Sequence, residues 1–161
     1  MIKLFEIVDA FDCQSDEMQA FVNSKTGEVK MFLWDELSAV EDDEDCSGYD
    51  IDPDEIEEIK EILFSDKYLR LPDKYDIHEY QIMEKFCNKL ENEEMRETAL
   101  ILIRGGGAFQ RIRDFIHLKN IEKQWYAYRY AHLKEIAIRW CKDKKICCRD
   151  EKRVSLDPIS E

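Results

Sequence analysis

Three adjacent glycines, Gly105, Gly106 and Gly107, stand between Arg104 and Arg111 in the run Arg104-Gly105-Gly106-Gly107-Ala108-Phe109-Gln110-Arg111. Such residues can bind phosphate. Glycines let backbone N–H groups approach an anion, the positive end of a following helix favours negative charge, and guanidinium groups complete the shell. The spacing is neither G-x-x-x-x-G-K-[ST] nor a strand-borne G-x-G-x-x-G, because a helical pattern precedes it. The competing reading is a helix–helix corner, in which Gly105 ends one helix, Gly107 starts the next and the missing side chains allow tight packing. At helical spacing Arg111 and Arg113 fall on opposite borders of the Phe109/Ile112/Ile116 stripe, which disperses their charge. The corner is therefore expected. An anion site at Arg104, Gly105, Gly106, Gly107 and Arg111 is the alternative.

A second constellation is His78, Glu79 and Arg129. As acid–base machinery it would need a nucleophile or a metal, and no such signal lies nearby. Glu79 is explained by a helix start at Asp76, three residues before it, and His78 reads as a surface histidine. Arg129 falls between two apolar arcs of the last helix, Trp125/Tyr128/His132/Ile136 and Tyr126/Tyr130/Leu133/Ala137/Trp140. A buried unpaired guanidinium is very costly, so Arg129 must reach solvent or a carboxylate such as Asp76, Glu79 or Glu84. A structural ion pair is expected, and no residue is assigned as catalytic.

Six cysteines show no C-x-x-C pair and no disulfide framework. Cys13, Cys46 and Cys87 are scattered. Cys141, Cys147 and Cys148 lie close together and could be joined by His132 around a metal, but adjacent cysteines are awkward tetrahedral ligands. Reduced thiols are expected, with no metal and no cofactor.

The elements that position these residues read as a mainly helical α+β fold. Leu4, Ile7, Val8 and Phe11 mark a short first helix. Met18, Ala20 and Val22 alternate against Val29, Met31 and Leu33 across Asn23-Ser24-Lys25-Thr26-Gly27, a β-hairpin with glycine at the left-handed position. Phe21, Phe32 and Trp34 lie on its other face, so both faces should be at least partly covered. A helical turn at Asp35–Val40 precedes Glu41-Asp42-Asp43-Glu44-Asp45, a like-charge loop. Asp52-Pro53-Asp54-Glu55 opens a helix to about Phe64. Tyr68-Leu69-Arg70-Leu71-Pro72 can add a third, edge strand, giving a small three-stranded sheet. Helices follow from Asp76, from about Glu93 to Ile103, from about Ala108, and from Ile121 to about Lys142, the last capped by Asn120. The sheet is expected to pack against this compact helical C-terminal half, as one globular domain over 1–149 with a frayed polar tail at 150–161.

The formal charge of −13 over 161 residues is uneven. Residues 1–95 carry 9 Lys+Arg against 28 Asp+Glu, and residues 96–150 carry 13 against 6. An acidic face suits a basic protein partner through salt-sensitive association, whereas the overall charge argues against tight non-specific nucleic-acid binding. No apolar run approaches the ~20 residues that span a bilayer, and Met1-Ile2-Lys3-Leu4-Phe5-Glu6 lacks a signal-peptide core, so a cytoplasmic protein is expected.

Several motifs in order carry a resemblance. Gln14-Ser15-Asp16-Glu17-Met18, Lys25-Thr26-Gly27-Glu28-Val29 and Pro72-Asp73-Lys74-Tyr75-Asp76-Ile77-His78-Glu79-Tyr80 come first. Gly107-Ala108-Phe109-Gln110-Arg111, Trp125-Tyr126-Ala127-Tyr128-Arg129 and Ile136-Ala137-Ile138-Arg139-Trp140-Cys141 follow. Over about residues 1–142 the chain resembles the bacterial uncharacterised protein family 158 of the UPF series. The resemblance implies a stand-alone cytosolic protein and brings no activity and no catalytic residues. The family's glycine motif more often reads Gly-x-Gly-Ala-Phe, which puts Gly106 at the variable place, and Cys147-Cys148 departs from the pattern. The expected function is a non-enzymatic binding or regulatory module acting through protein contacts. Phosphate recognition at 104–111 is the alternative, and an enzyme using His78 and Arg129 the second alternative.

Overall fold

The structure, a computed structural model, describes residues 2–42 and 50–150. Beyond Asp42 the expected acidic loop lies outside the described residues, as does the expected tail beyond Asp150. The described chain is α+β and mainly helical, and it clusters into two compact units. One takes the described residues up to Lys74 and those from Ile136 on; the other is Tyr75–Glu135.

In the first unit β1 (Ile2–Lys3) leads into α1 (Leu4–Cys13), whose Leu4, Ile7, Val8 and Phe11 are buried as their spacing requires. β2 (Met18–Asn23) and β3 (Val29–Leu33) form the expected antiparallel hairpin, with Met18 opposite Leu33, Ala20 opposite Met31 and Val22 opposite Val29. The Asn23 carboxamide accepts from the Lys25 and Thr26 N–H groups, and Gly27 takes φ +80°, which an L side chain rarely adopts. β4 (Tyr68–Arg70) joins the free side of β2, so the sheet order is β3-β2-β4 with β4 at the edge.

Both sheet faces are covered. Ala20 and Val22 are fully buried on one. On the other, Phe21 and Phe32 pack with Leu37 and Val40 of α2 (Trp34–Asp42) and Ile59 and Ile62 of α3 (Pro53–Phe64). α3 starts as its sequence demands: the Asp52 carboxylate accepts from the Asp54 N–H at 2.9 Å, with Pro53 in the first turn. Buried Gln19 satisfies its amide inside the sheet, donating to the Ala20 and Leu71 carbonyls and accepting from Arg70 Nε at 3.1 Å. A short parallel pair between β1 and β5 (Cys148–Arg149), which no alternation in the sequence announces, ties the two ends of the described chain.

The second unit begins within α4 (Lys74–Ile77) and contains α5 (Glu79–Asn88), α6 (Glu93–Leu102), α7 (Ala108–Leu118) and the first part of α8 (Glu122–Asp143). Two expectations are corrected here. The capped helix from Asp76 is broken: α4 ends at Ile77, His78 turns left-handed at φ 56°, and α5 begins at Glu79. The His78 carbonyl accepts N–H bonds from Gln81 and Ile82, at the position that precedes α5. Asn120 does not cap α8 either. It lies at φ 56° as the residue that ends α7, with Asn120 N–H donating to the His117 carbonyl and Ile121 N–H to that of Ile116. That is a Schellman reversal, in which asparagine tolerates the left-handed position and buried Ile116 and Ile121 supply the accompanying apolar residues.

Candidate functional site

At the glycine run α6 ends, with Ile103 closing it, and Gly107 immediately precedes α7. Gly105 and Gly107 both take φ +77°, so glycine is required at these two places by backbone conformation. Tight packing is not the reason. A Cβ on Gly105 or Gly106 would meet nothing within 4 Å, and one on Gly107 would meet only the Arg111 side chain, at 3.2 Å. Gly106 has neither a positive φ nor a close neighbour. The corner exists, and its outer surface is open to solvent.

Arg111 folds back onto that corner. Its Nε donates to the Leu102 carbonyl at 2.9 Å, and its two terminal nitrogens donate to the carbonyls of Gly106 and Arg104. One guanidinium thus closes the end of α6 and the turn together, satisfying carbonyls that a helix C-terminus leaves without partners. Arg104 and the three glycines are exposed, and Arg113 is exposed away from this cluster. Tyr80, which sequence reasoning passed over, braces the same place: its hydroxyl donates to the Ile103 carbonyl at 2.8 Å and its ring meets that of Phe109 edge-on.

Arg129 pairs through Nε with the Glu79 carboxylate, one of the three partners anticipated for it. Both side chains are mostly withdrawn from water, at 20% and 32% exposure, which makes the pair worth more than a surface one. His78 is exposed beside it. Glu79, the first residue of α5 after the left-handed His78, is the partner of Arg129. Among the described residues no three His, Cys, Asp or Glu side chains converge as metal ligands.

Among the described residues each unit carries a cleft that is lined by none of these residues. In the second unit, about 510 Å³ is enclosed by Phe86, Leu90, Met95, Ile121 and Tyr128 with Lys89, Glu91, Asn92 and Gln124. Lys89 Nζ sits 5.3 Å from the Tyr128 ring centre there. In the first unit a shallower groove of about 540 Å³ runs along α3, between Glu57, Glu58, Lys60, Glu61, Phe64 and Ser65. Phe64 is 69% exposed, unusual for a phenylalanine at the end of an amphipathic helix. A sequence signal for this groove existed, since Glu57, Glu61 and Phe64 stand at i, i+4 and i+7 on one helix face.

Charge follows the two units. By sequence, Tyr75–Glu135 carries 10 Lys+Arg and 10 Asp+Glu and is neutral, so the remaining residues hold the whole −13. At the start of α3 the crowding has a local effect. Partial desolvation, then repulsion from Glu36, Asp52 and Glu58, holds the Glu55 carboxyl above the ordinary range. Lys60 and Lys67 approach Glu57 and Glu61 only at 3.8 and 3.6 Å, exposed contacts of little energy.

The chain belongs to the uncharacterised protein family UPF0158, whose model matches residues 1–159. No curated protein and no solved structure matches it.

Proposed function

We propose that this protein is a non-enzymatic binding module that engages a basic protein partner through the α3 surface of its acidic unit. The observation that carries the reading is the exposed Phe64 set among Glu57, Glu58 and Glu61 in one open groove. An aromatic ring in that position anchors a partner by apolar contact, while surrounding carboxylates select positive charge and speed encounter. The weak lysine contacts at Glu57 and Glu61 are easily exchanged for those of a partner.

A labelled amphipathic peptide of leucine and lysine serves as a defined probe, read by fluorescence anisotropy. Phe64→Ser and the triple change Glu57→Lys/Glu58→Lys/Glu61→Lys should each weaken binding at least about tenfold, roughly 1.4 kcal/mol. The same three reversals at Glu91, Glu93 and Glu94, in the neutral unit, should weaken it far less. Equal losses from both triple variants, with Phe64→Ser without effect, would mean that the peptide senses net charge only, and the docking reading fails.

A second reading, phosphate recognition at Arg104–Arg111, draws on the exposure of Arg104 and the three glycines. It gains nothing from Arg111, whose guanidinium is occupied by carbonyls. A nucleotide or oligonucleotide that raises the thermal midpoint supports it, because only ligands of the folded state do so.

A further inference from the structure

The C-terminal end of α8 reverses in a second Schellman turn. Lys145 takes φ 57°, its N–H donates to the Lys142 carbonyl, and the Ile146 N–H donates to the Cys141 carbonyl at 2.9 Å. The returning chain then aligns beside β1: the Ile2 N–H donates to the Cys147 carbonyl at 3.1 Å and Ile2 stands opposite Cys148. Successive residues of an extended segment point to opposite sides, so the neighbouring cysteines part company. Cys147 is exposed, whereas Cys148 is half-buried and stands close enough to Cys141, fully buried on α8, to add to the upward push that burial gives the Cys141 thiol. Two thiols on separate elements are thus brought to the same place by a turn and a strand pairing made from backbone groups, without use of either side chain.

We propose that Cys141 and Cys148 form a site of oxidative modification, converted by a hydroperoxide into an intramolecular disulfide that fastens β5 to the last turn of α8. Cys148 is the thiol nearer solvent and reacts first: its thiolate attacks the peroxide oxygen, giving a sulfenic acid and releasing hydroxide, which takes up a proton as water. The Cys141 sulfur then attacks the Cys148 sulfur, the S–O bond breaks, and the departing hydroxide carries off the Cys141 proton as water. With hydrogen peroxide the sum is two thiols and one peroxide to one disulfide and two waters. The buried Cys141 is a poor first nucleophile, since burial and the nearby Cys148 push its thiol up to about 12. Its place is to resolve the sulfenic acid, not to form it.

The full chain, fully reduced, is treated with hydrogen peroxide, quenched and alkylated, then analysed by intact mass and non-reducing peptide mapping. The expected product, alkylated in denaturant, carries alkyl groups on four of its six cysteines where the fully reduced control carries six, and joins the Cys141 and Cys148 peptides. Cys147→Ser should keep that link, while Cys141→Ser and Cys148→Ser should each abolish it. Cys148→Ser, at a half-buried position, covers the case in which Cys141→Ser fails to fold. Oxidation that stops at sulfinic or sulfonic acid on Cys147, or links involving Cys13, Cys46 or Cys147, would overturn the assignment.

Discussion

Arg111 is the residue on which the reading of the glycine run turns. Its five N–H donors in a fixed fork suit several carbonyls at once, and three are within reach: Leu102, Gly106 and Arg104. A lysine cannot reproduce that fork. Arg111→Lys should therefore destabilise nearly as much as Arg111→Ala, by about 2 kcal/mol in urea unfolding. A stability loss for alanine with full retention by lysine would instead favour simple positive charge, as a phosphate site would use. The glycines separate in the same assay. Gly105→Ala and Gly107→Ala impose a positive φ on a side chain and should cost about 1–2 kcal/mol each. Gly106→Ala should be neutral to within about 0.5 kcal/mol, or slightly stabilising, because it has open space and an ordinary φ. The sequence made the turn legible and anticipated the pairing of Arg129 with one of three acids. It left Arg111's direction out of reach: helical spacing places a residue on a border of a face, and only the path of the preceding turn decides what a long flexible side chain folds onto.

At the scale of elements the sheet was the most legible part. Alternation in β2 and β3 with a glycine-bearing turn gave the hairpin and the residues that share each face, and the proline after Leu71 placed β4 at the edge. These signals are local, and the hydrophobic faces leave no second register that buries the same residues. The break at His78 was not legible, because the sequence at Asp76–Glu79 satisfies the rule for a helix start, while a partner 50 residues away takes Glu79. The two Schellman reversals were missed for a related reason: each uses a residue other than glycine at the left-handed place, Asn120 and Lys145. Asparagine tolerates that conformation and lysine does not, so the two sites should respond differently. Lys145→Gly should raise stability by about 0.5–1 kcal/mol, and Asn120→Gly by less, compared at the urea midpoint with equal m-values. A destabilised Lys145→Gly variant would mean that the turn is held by side-chain contacts of Lys145 rather than tolerated despite its backbone.

For the whole molecule, charge and thiols are distributed by unit in ways the linear sequence hides. Division by sequence halves suggested an acidic half against a basic one. The fold instead returns the basic C-terminal stretch from Ile136 to the acidic unit and leaves Tyr75–Glu135 neutral. Among the described residues each unit also holds one fully buried thiol, Cys141 in the first and Cys87 in the second. Burial pushes the Cys87 thiol up to about 11 and, together with Cys148, pushes that of Cys141 up to about 12, against an ordinary value near 9.0. Below pH ~9 the folded and unfolded chains both keep these protons, and stability does not depend on them. As the pH rises above that, the unfolded thiols ionise while the folded ones cannot, so stability present below pH ~9 is lost as the pH climbs towards the folded values, by about 1.4 kcal/mol per pH unit for each thiol. Urea unfolding under reducing conditions should therefore give a level midpoint from pH 7 to 8.5 and a falling one from 9 to 11. Cys87→Ala lowers the overall level by leaving a small cavity, but the slope is the informative quantity. It should flatten the alkaline fall of the transition that reports on Tyr75–Glu135 and leave that of the acidic unit, where Cys141 remains. An unchanged alkaline slope in both Cys87→Ala and Cys141→Ala would show that the loss comes from the mounting negative charge of the acidic unit, and that the buried thiols do not link proton binding to folding.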